Sequence, residues 1–153
     1  MTPYAAPNAT FLKSDGTRVS LSELTGQKTL VLFFYPKDRT TGCTAEACSF
    51  RDSYEDFKAA GADVIGVSAD DAASHEDFKG KYRLPFTLLT DVGGEAAKAM
   101  GIKKTLGLIP GRVTFVIDRK GQVVHRFESQ LRATQHVDEA LQVVKSLEKS
   151  SAA

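Results

Sequence analysis

The stretch "KTLVLFFYPKDRTTGCTAEACSF", residues 28–50, decides how this chain folds. Its first half is a continuous apolar run ending at Pro36, the pattern of a strand buried on both faces. Its second half holds both cysteines of the chain, Cys43 and Cys48, five residues apart. From Thr44 onward Ala47, Phe50, Tyr54 and Phe57 recur at three- and four-residue intervals up to Gly61, which predicts an amphipathic helix. A buried strand handing over to a helix through a short loop is a building unit of α/β sheets, whose sites form at the carboxyl ends of the strands.

The flanking sequence extends this pattern. Upstream, "ATFLKSDGTRVSLSEL" alternates apolar and polar residues about Asp15-Gly16, the signal of an N-terminal β-hairpin. Downstream, "ADVIGVSA" is expected as a strand, "SHEDFKGKY" as a helix capped by Ser74, "FTLLT" as a strand and "GEAAKAMG" as a short helix. After "LIPGR", the segments "VTFVID" and "QVVHRFE" form strands about a turn at "RKG". "TQHVDEALQVVKSLEK" closes the chain as a helix with Val137, Leu141, Val144 and Leu147 on its apolar side. Residues 1–153 are therefore expected to form a single α/β domain, a central mixed sheet flanked by helices, with residues 150–153 as a frayed tail.

Composition narrows the function. At 153 residues the chain is long enough to bury roughly 68–70% of its unfolded surface without staples. Twenty basic and nineteen acidic side chains give a net charge of +1, which offers no global attraction to nucleic acid or anionic membrane. The most apolar run, Leu30 to Tyr35, is far shorter than the about 20 residues that a bilayer span needs. The beginning "MTPYAAPNATF" lacks the basic start and apolar core of a secretory signal, so a cytoplasmic location is expected, or an organelle after removal of a transit peptide.

Two cysteines are too few for a disulfide scaffold, and their spacing is wrong for a structural bridge. On one regular helix, residues five apart have Cα atoms roughly 8–9 Å apart and about 140° around the axis. A disulfide needs Cα atoms about 4.4–6.8 Å apart. The pair can therefore close only if the helix unwinds, which suits a thiolate that reacts in the folded chain and is then captured by a second thiol. Cys43, at the helix start, has the unpaired N–H groups and positive dipole end that favour a thiolate; Cys48, deeper in the helix, is the resolving partner. Pro36 fixes the loop, Thr40 offers a hydroxyl, and Gly42 permits close approach of the backbone to a substrate.

Pro36, Thr40 and Cys43 reproduce a P-x-x-x-T-x-x-C pattern, and on these residues the chain resembles the peroxiredoxins. "GCTAEACSFRDSYEDF", with its second cysteine five residues on, is similar to the peroxiredoxin Q or bacterioferritin comigratory protein branch, as are "GADVIGVSADDAASHEDF", "YRLPFTLLTD" and "IPGRVTFVID". The resemblance implies a thioredoxin-like fold and reduction of hydrogen peroxide and organic hydroperoxides. It makes Cys43 the peroxidatic cysteine, Cys48 its resolving partner, and Arg112 in "PGR" the arginine that completes the site with Thr40. Glu46 matches a carboxylate of the family's helix. It further implies recycling by thioredoxin or a similar dithiol, a monomer, and no metal or organic cofactor. Thr41 departs from the branch, standing where it carries proline, and so bears on the stiffness of the helix entry.

Other readings of the same residues are simpler. A free cysteine is commonly a small buried hydrophobe. Zinc would need about four ligands, and His75, His125 and His136 are scattered away from the cysteines; a cysteine protease would need a histidine base. His75 and His136 are expected at the surface, and Glu46 is equally an acid of a first helical turn facing water. A dithiol exchange protein would carry C-x-x-C. A redox sensor that passes its oxidation to a partner shares all these residues and differs only in turnover.

Overall fold

In the computed structural model, residues 2–38, 40–102, 112–129 and 134–152 are described. They form one sheet of eight strands in the order β1-β8-β7-β4-β5-β6-β2-β3. At its centre β4 (Thr29–Phe34) runs parallel to β5 (Ala62–Ser68) and antiparallel to β7 (Val113–Ile117). Beyond β5 lie β6 (Thr87–Thr90) and the hairpin of β2 (Thr10–Leu12) and β3 (Arg18–Ser20). Beyond β7 lie β8 (Gln122–Glu128) and the two-residue β1 (Tyr4–Ala5).

Every residue of β4 is buried because the sheet is covered on both sides. Strand geometry sends alternate side chains to opposite faces. Val31, Phe33 and Tyr35 enter one core with Cys43, Ala47, Phe50, Phe57, Phe78, Val137, Ala140 and Val144, contributed by helices α2 (Thr41–Asp52), α3 (Tyr54–Ala59), α4 (Ala72–Tyr82) and α6 (Gln135–Ala152). Leu30, Leu32 and Phe34 enter the other, with Phe11 and Val19 of the hairpin, Leu21 of the short α1 (Leu21–Leu24), and Ala96 of α5 (Glu95–Ala99). Phe33 and Phe50 stack with ring centroids 4.4 Å apart, which pins α2 to the sheet. Gly66 on β5 makes the room: a Cβ there would lie 2.7 Å from Phe33 and 2.8 Å from Leu88.

Several expectations change in detail. The helix after the cysteines is two helices broken at Ser53, whose N–H donates to the Ser49 carbonyl of the first and whose carbonyl accepts the Phe57 N–H of the second. Gly61 ends it in a left-handed conformation, φ +78°, as its composition suggested. Helix α4 begins three residues before the expected position. Its cap is Asp71, whose carboxylate accepts the Ser74 N–H at 2.9 Å, so Ser74 lies inside the first turn. α6 continues through Ala152, into the tail expected to fray, and most of the "LIPGR" link lies outside the described residues. Among the described residues no helix is long and apolar enough to cross a membrane.

Candidate active site

The loop from Pro36 to Thr40 carries the chain from the end of β4 into α2. Thr40 is the N-cap, in extended conformation, and its carbonyl accepts the Thr44 N–H at 2.8 Å as the first bond of the helix. Thr41, Gly42 and Cys43 fill the first turn, where backbone N–H groups have no acceptor four residues back. Thr41, in the place of the branch's proline, is the first helical residue and is exposed. Cys43 is thus in the anion-favouring turn that its sequence position predicts.

Cys43 and Cys48 are both free and both lie within α2. Cys43 is 1% exposed and Cys48 half-buried. With the helix intact across both residues, bonding is excluded by the helical separation of roughly 8–9 Å between Cα atoms.

Arg112, just before β7, reaches into this turn. It is 4% exposed, its Nη2 donates to Cys43 Sγ at 3.4 Å, and its Nη1 donates to Glu46 Oε1 at 2.8 Å. Burial works against its charge, but Glu46 and then Cys43 outweigh that and hold the guanidinium more firmly protonated than usual. Gly42 is the reason Arg112 fits. A Cβ at that position would stand 2.9 Å from Arg112 Nη2, so the glycine clears space for the guanidinium, where the sequence had suggested space for a substrate. The Thr40 hydroxyl donates to the Lys37 carbonyl at 2.9 Å, which closes the loop and leaves its oxygen able to accept.

Glu46 is not a surface acid. It is fully buried, and burial raises its carboxyl from an ordinary 4.5 to about 8, against the lowering effect of Arg112. Its second oxygen, Oε2, has no hydrogen-bond partner among the described residues and lies 3.6 Å from His136 Nδ1. His136, expected at the surface, is fully buried: Nε2 is 2.9 Å from the Ser129 carbonyl and Nδ1 is 2.8 Å from Thr114 Oγ1. Burial lowers it from an ordinary 6.5 to about 4, with Arg112 adding to that and the Ser129 bond opposing.

His75 is likewise buried, 2.8 Å from Asp38 through Nδ1. Asp38 also accepts from the Tyr35 hydroxyl at 2.5 Å and from Ser74 Oγ at 2.9 Å, while its N–H donates to Asp70 at 2.8 Å. These bonds tie the loop preceding Thr40 to the segment after β5 and to α4. Pro36 follows Tyr35, whose N–H donates to the Val67 carbonyl as the last link of the strand to β5.

The AhpC/TSA family model matches residues 3–126. Peroxiredoxin Q of Oryza sativa subsp. japonica, a chloroplastic protein, is 51% identical over 144 residues, covering 94% of this chain and 66% of that protein; the chain thus spans just under two thirds of this relative's length. Among solved structures, peroxidoxin BcpB of Mycobacterium tuberculosis superposes with a TM-score of 0.86 at 34% identity, covering 95% of this chain and 96% of that one. A Xanthomonas campestris bacterioferritin comigratory protein, solved in connection with its alkyl peroxide reduction activity, matches with a TM-score of 0.82 at 32% identity and 92% coverage of both chains. With the fold and these relatives in agreement, the chain belongs to the AhpC/TSA family, in the peroxiredoxin Q branch of the thioredoxin-fold peroxiredoxins.

Proposed function

We propose that this protein is a thiol peroxidase that reduces hydrogen peroxide and organic hydroperoxides. The observation that carries the reading is one guanidinium placed on both Cys43 Sγ, at 3.4 Å, and Glu46, at 2.8 Å, in the first turn of a helix. A fixed cation at that distance stands where negative charge sits during attack on a peroxide and where it develops on the departing oxygen.

The Cys43 thiolate attacks the terminal oxygen of the peroxide. A sulfur–oxygen bond forms, the oxygen–oxygen bond breaks, and negative charge develops on the departing oxygen. Arg112 and the N–H groups of Gly42 and Cys43 stabilise that charge, with the Thr40 oxygen orienting the incoming hydroperoxide proton. Pro36 holds the loop in register.

The Cys43 sulfenic acid then meets Cys48. Because Cys43 is buried and a turn and more away, α2 must unwind locally before the Cys48 thiol displaces water and closes the intramolecular disulfide. A dithiol of the thioredoxin type restores both thiols, and the chain works as a monomer in a compartment that supplies such a reductant, cytoplasm or organelle.

The test is turnover. Cys43→Ser abolishes peroxide consumption, and Cys48→Ser consumes one equivalent and then stops in the presence of thioredoxin. Catalytic consumption by Cys43→Ser protein refutes the assignment. Parent protein that stops after one equivalent, with excess thioredoxin present, is a sensor and not an enzyme.

A further inference from the structure

Four ionisable side chains from three parts of the fold share one buried site: Cys43 and Glu46 from α2, Arg112 from the entry to β7, and His136 from α6. All four are at most 4% exposed. Burying unbalanced charge is costly, so the favoured protonation states are those that leave the cluster neutral overall.

The hydrogen bonds fix most of the protons. The Ser129 carbonyl can only accept, so His136 Nε2 carries a proton and donates to it. With the ring neutral, Nδ1 is a bare acceptor that receives the Thr114 hydroxyl at 2.8 Å. Glu46 Oε2 lies 3.6 Å from the same nitrogen, beyond hydrogen-bond length, and among the described residues it is the carboxyl oxygen without a partner. A carboxylate oxygen beside an electron-rich ring nitrogen is unfavourable; a proton on the carboxyl removes the conflict. Among the described residues, Arg112 on Oε1 and Cys43 beyond it are the other charged groups named at this carboxyl.

We propose that His136 is a positioning residue of the peroxidatic site: with Glu46 it holds one proton while Cys43 is a thiolate, and the pair gives that proton up when Cys43 is oxidised. This rests on the peroxidase reading above. In the reduced enzyme the Arg112 cation is balanced by the Cys43 thiolate, and Glu46 and His136 together are neutral. Peroxide then takes two electrons from the sulfur. The products are neutral sulfenic acid and an alkoxide or hydroxide, which takes up a proton and leaves as alcohol or water. Arg112 has lost its counter-anion, and Glu46 replaces it by ionising. The proton consumed by the leaving group is matched by the one released from the pair, so the charge of the cluster is unchanged across the step. Burial that holds the Glu46 carboxyl up and His136 down supports the same distribution.

Infrared difference spectroscopy on Cys48→Ser protein, which stops at the sulfenic acid, reads the carboxyl directly. One equivalent of hydrogen peroxide is added, and sulfenic acid is verified in the same sample by dimedone capture and mass. The expected result is loss of a protonated-carboxyl band on oxidation, a band absent from the Glu46→Gln variant. In reduced protein, His136→Asn offers Oε2 an amide donor and moves the pH at which this band disappears down by roughly one unit. Thr114→Val frees the Nδ1 lone pair for Glu46 and moves it up. These opposite shifts, from two substitutions in one buried cluster, are not produced by a merely structural role. A band that survives verified oxidation overturns the proposal, as does a midpoint unmoved by whichever of the two variants folds. Failure of Cys43 to form sulfenic acid at all refutes instead the peroxidase reading.

Discussion

Two buried charged clusters border the loop between β4 and α2, and they are built differently. Around Asp38 each carboxylate oxygen is taken: Tyr35 bonds Oδ1, and His75 and Ser74 bond Oδ2. Burial raises Asp38, but the bonds from His75 and Tyr35 outweigh it, so the group stays below its ordinary range. Around Glu46 one oxygen is bonded and the other has no hydrogen-bond partner among the described residues, and there burial wins. A saturated carboxylate fixes a loop. A half-satisfied one is held at a cost, and the peroxidase chemistry proposed above gives that cost a use.

The largest expected effect falls on the saturated cluster. Asp38→Ala strands the Tyr35 hydroxyl, His75 and Ser74 in a dry setting and should cost about 3–5 kcal/mol of unfolding free energy, measured by urea denaturation. Glu46→Gln, which keeps the shape of the side chain and removes a carboxyl already close to neutral, should cost far less. Equal losses from the two would erase the distinction. Next comes Gly42→Ala. The added methyl forces Arg112 Nη2 away from its 2.9 Å approach, and a displacement of about 1 Å in a catalytic group lowers a rate roughly 10²-fold. Stopped-flow oxidation of Cys43 should show that loss with little change in urea midpoint. Unchanged oxidation kinetics would mean that Arg112 has room to spare.

Which parts of this were legible in the sequence follows from what a linear pattern can carry. The buried central strand, the helix start at Cys43 and the impossibility of a folded 43–48 bridge all follow from local periodicity and from helix geometry. The contacts of Arg112 with residues more than sixty positions earlier do not, because no local pattern encodes them; only the family resemblance pointed there. The two buried histidines differ from the surface expectation for another reason. His136 falls four and eight residues before the buried Ala140 and Val144, and His75 three before Phe78, so both sit on apolar helix faces that period alone marks as inward. Their polarity outweighed their position. Thr114, inside the apolar run "VTFVI", gave the same sign: a hydroxyl on a fully buried strand needs a partner, and His136 is that partner.

The smallest effect separates the clusters by pH. His136 lies at about 4 in the folded protein against an ordinary 6.5, so the stability that comes from keeping it neutral is complete above pH 6.5 and is lost as pH falls toward 4. Glu46 has the opposite sign. Raised from 4.5 to about 8, it contributes fully below pH 4.5 and loses that contribution as pH rises through 8. The two slopes oppose each other between 4.5 and 6.5, where the unfolding free energy of the parent should be nearly flat. Of these two groups only Glu46 still changes its contribution between 6.5 and 8, and that contribution declines. Glu46→Gln removes that decline and, by unmasking His136, makes the protein gain stability from pH 4.5 to 6.5. Asp38, held low and fully bonded, adds no slope anywhere in that range. A Glu46→Gln protein whose stability still falls between pH 6.5 and 8 would place the titrating group elsewhere.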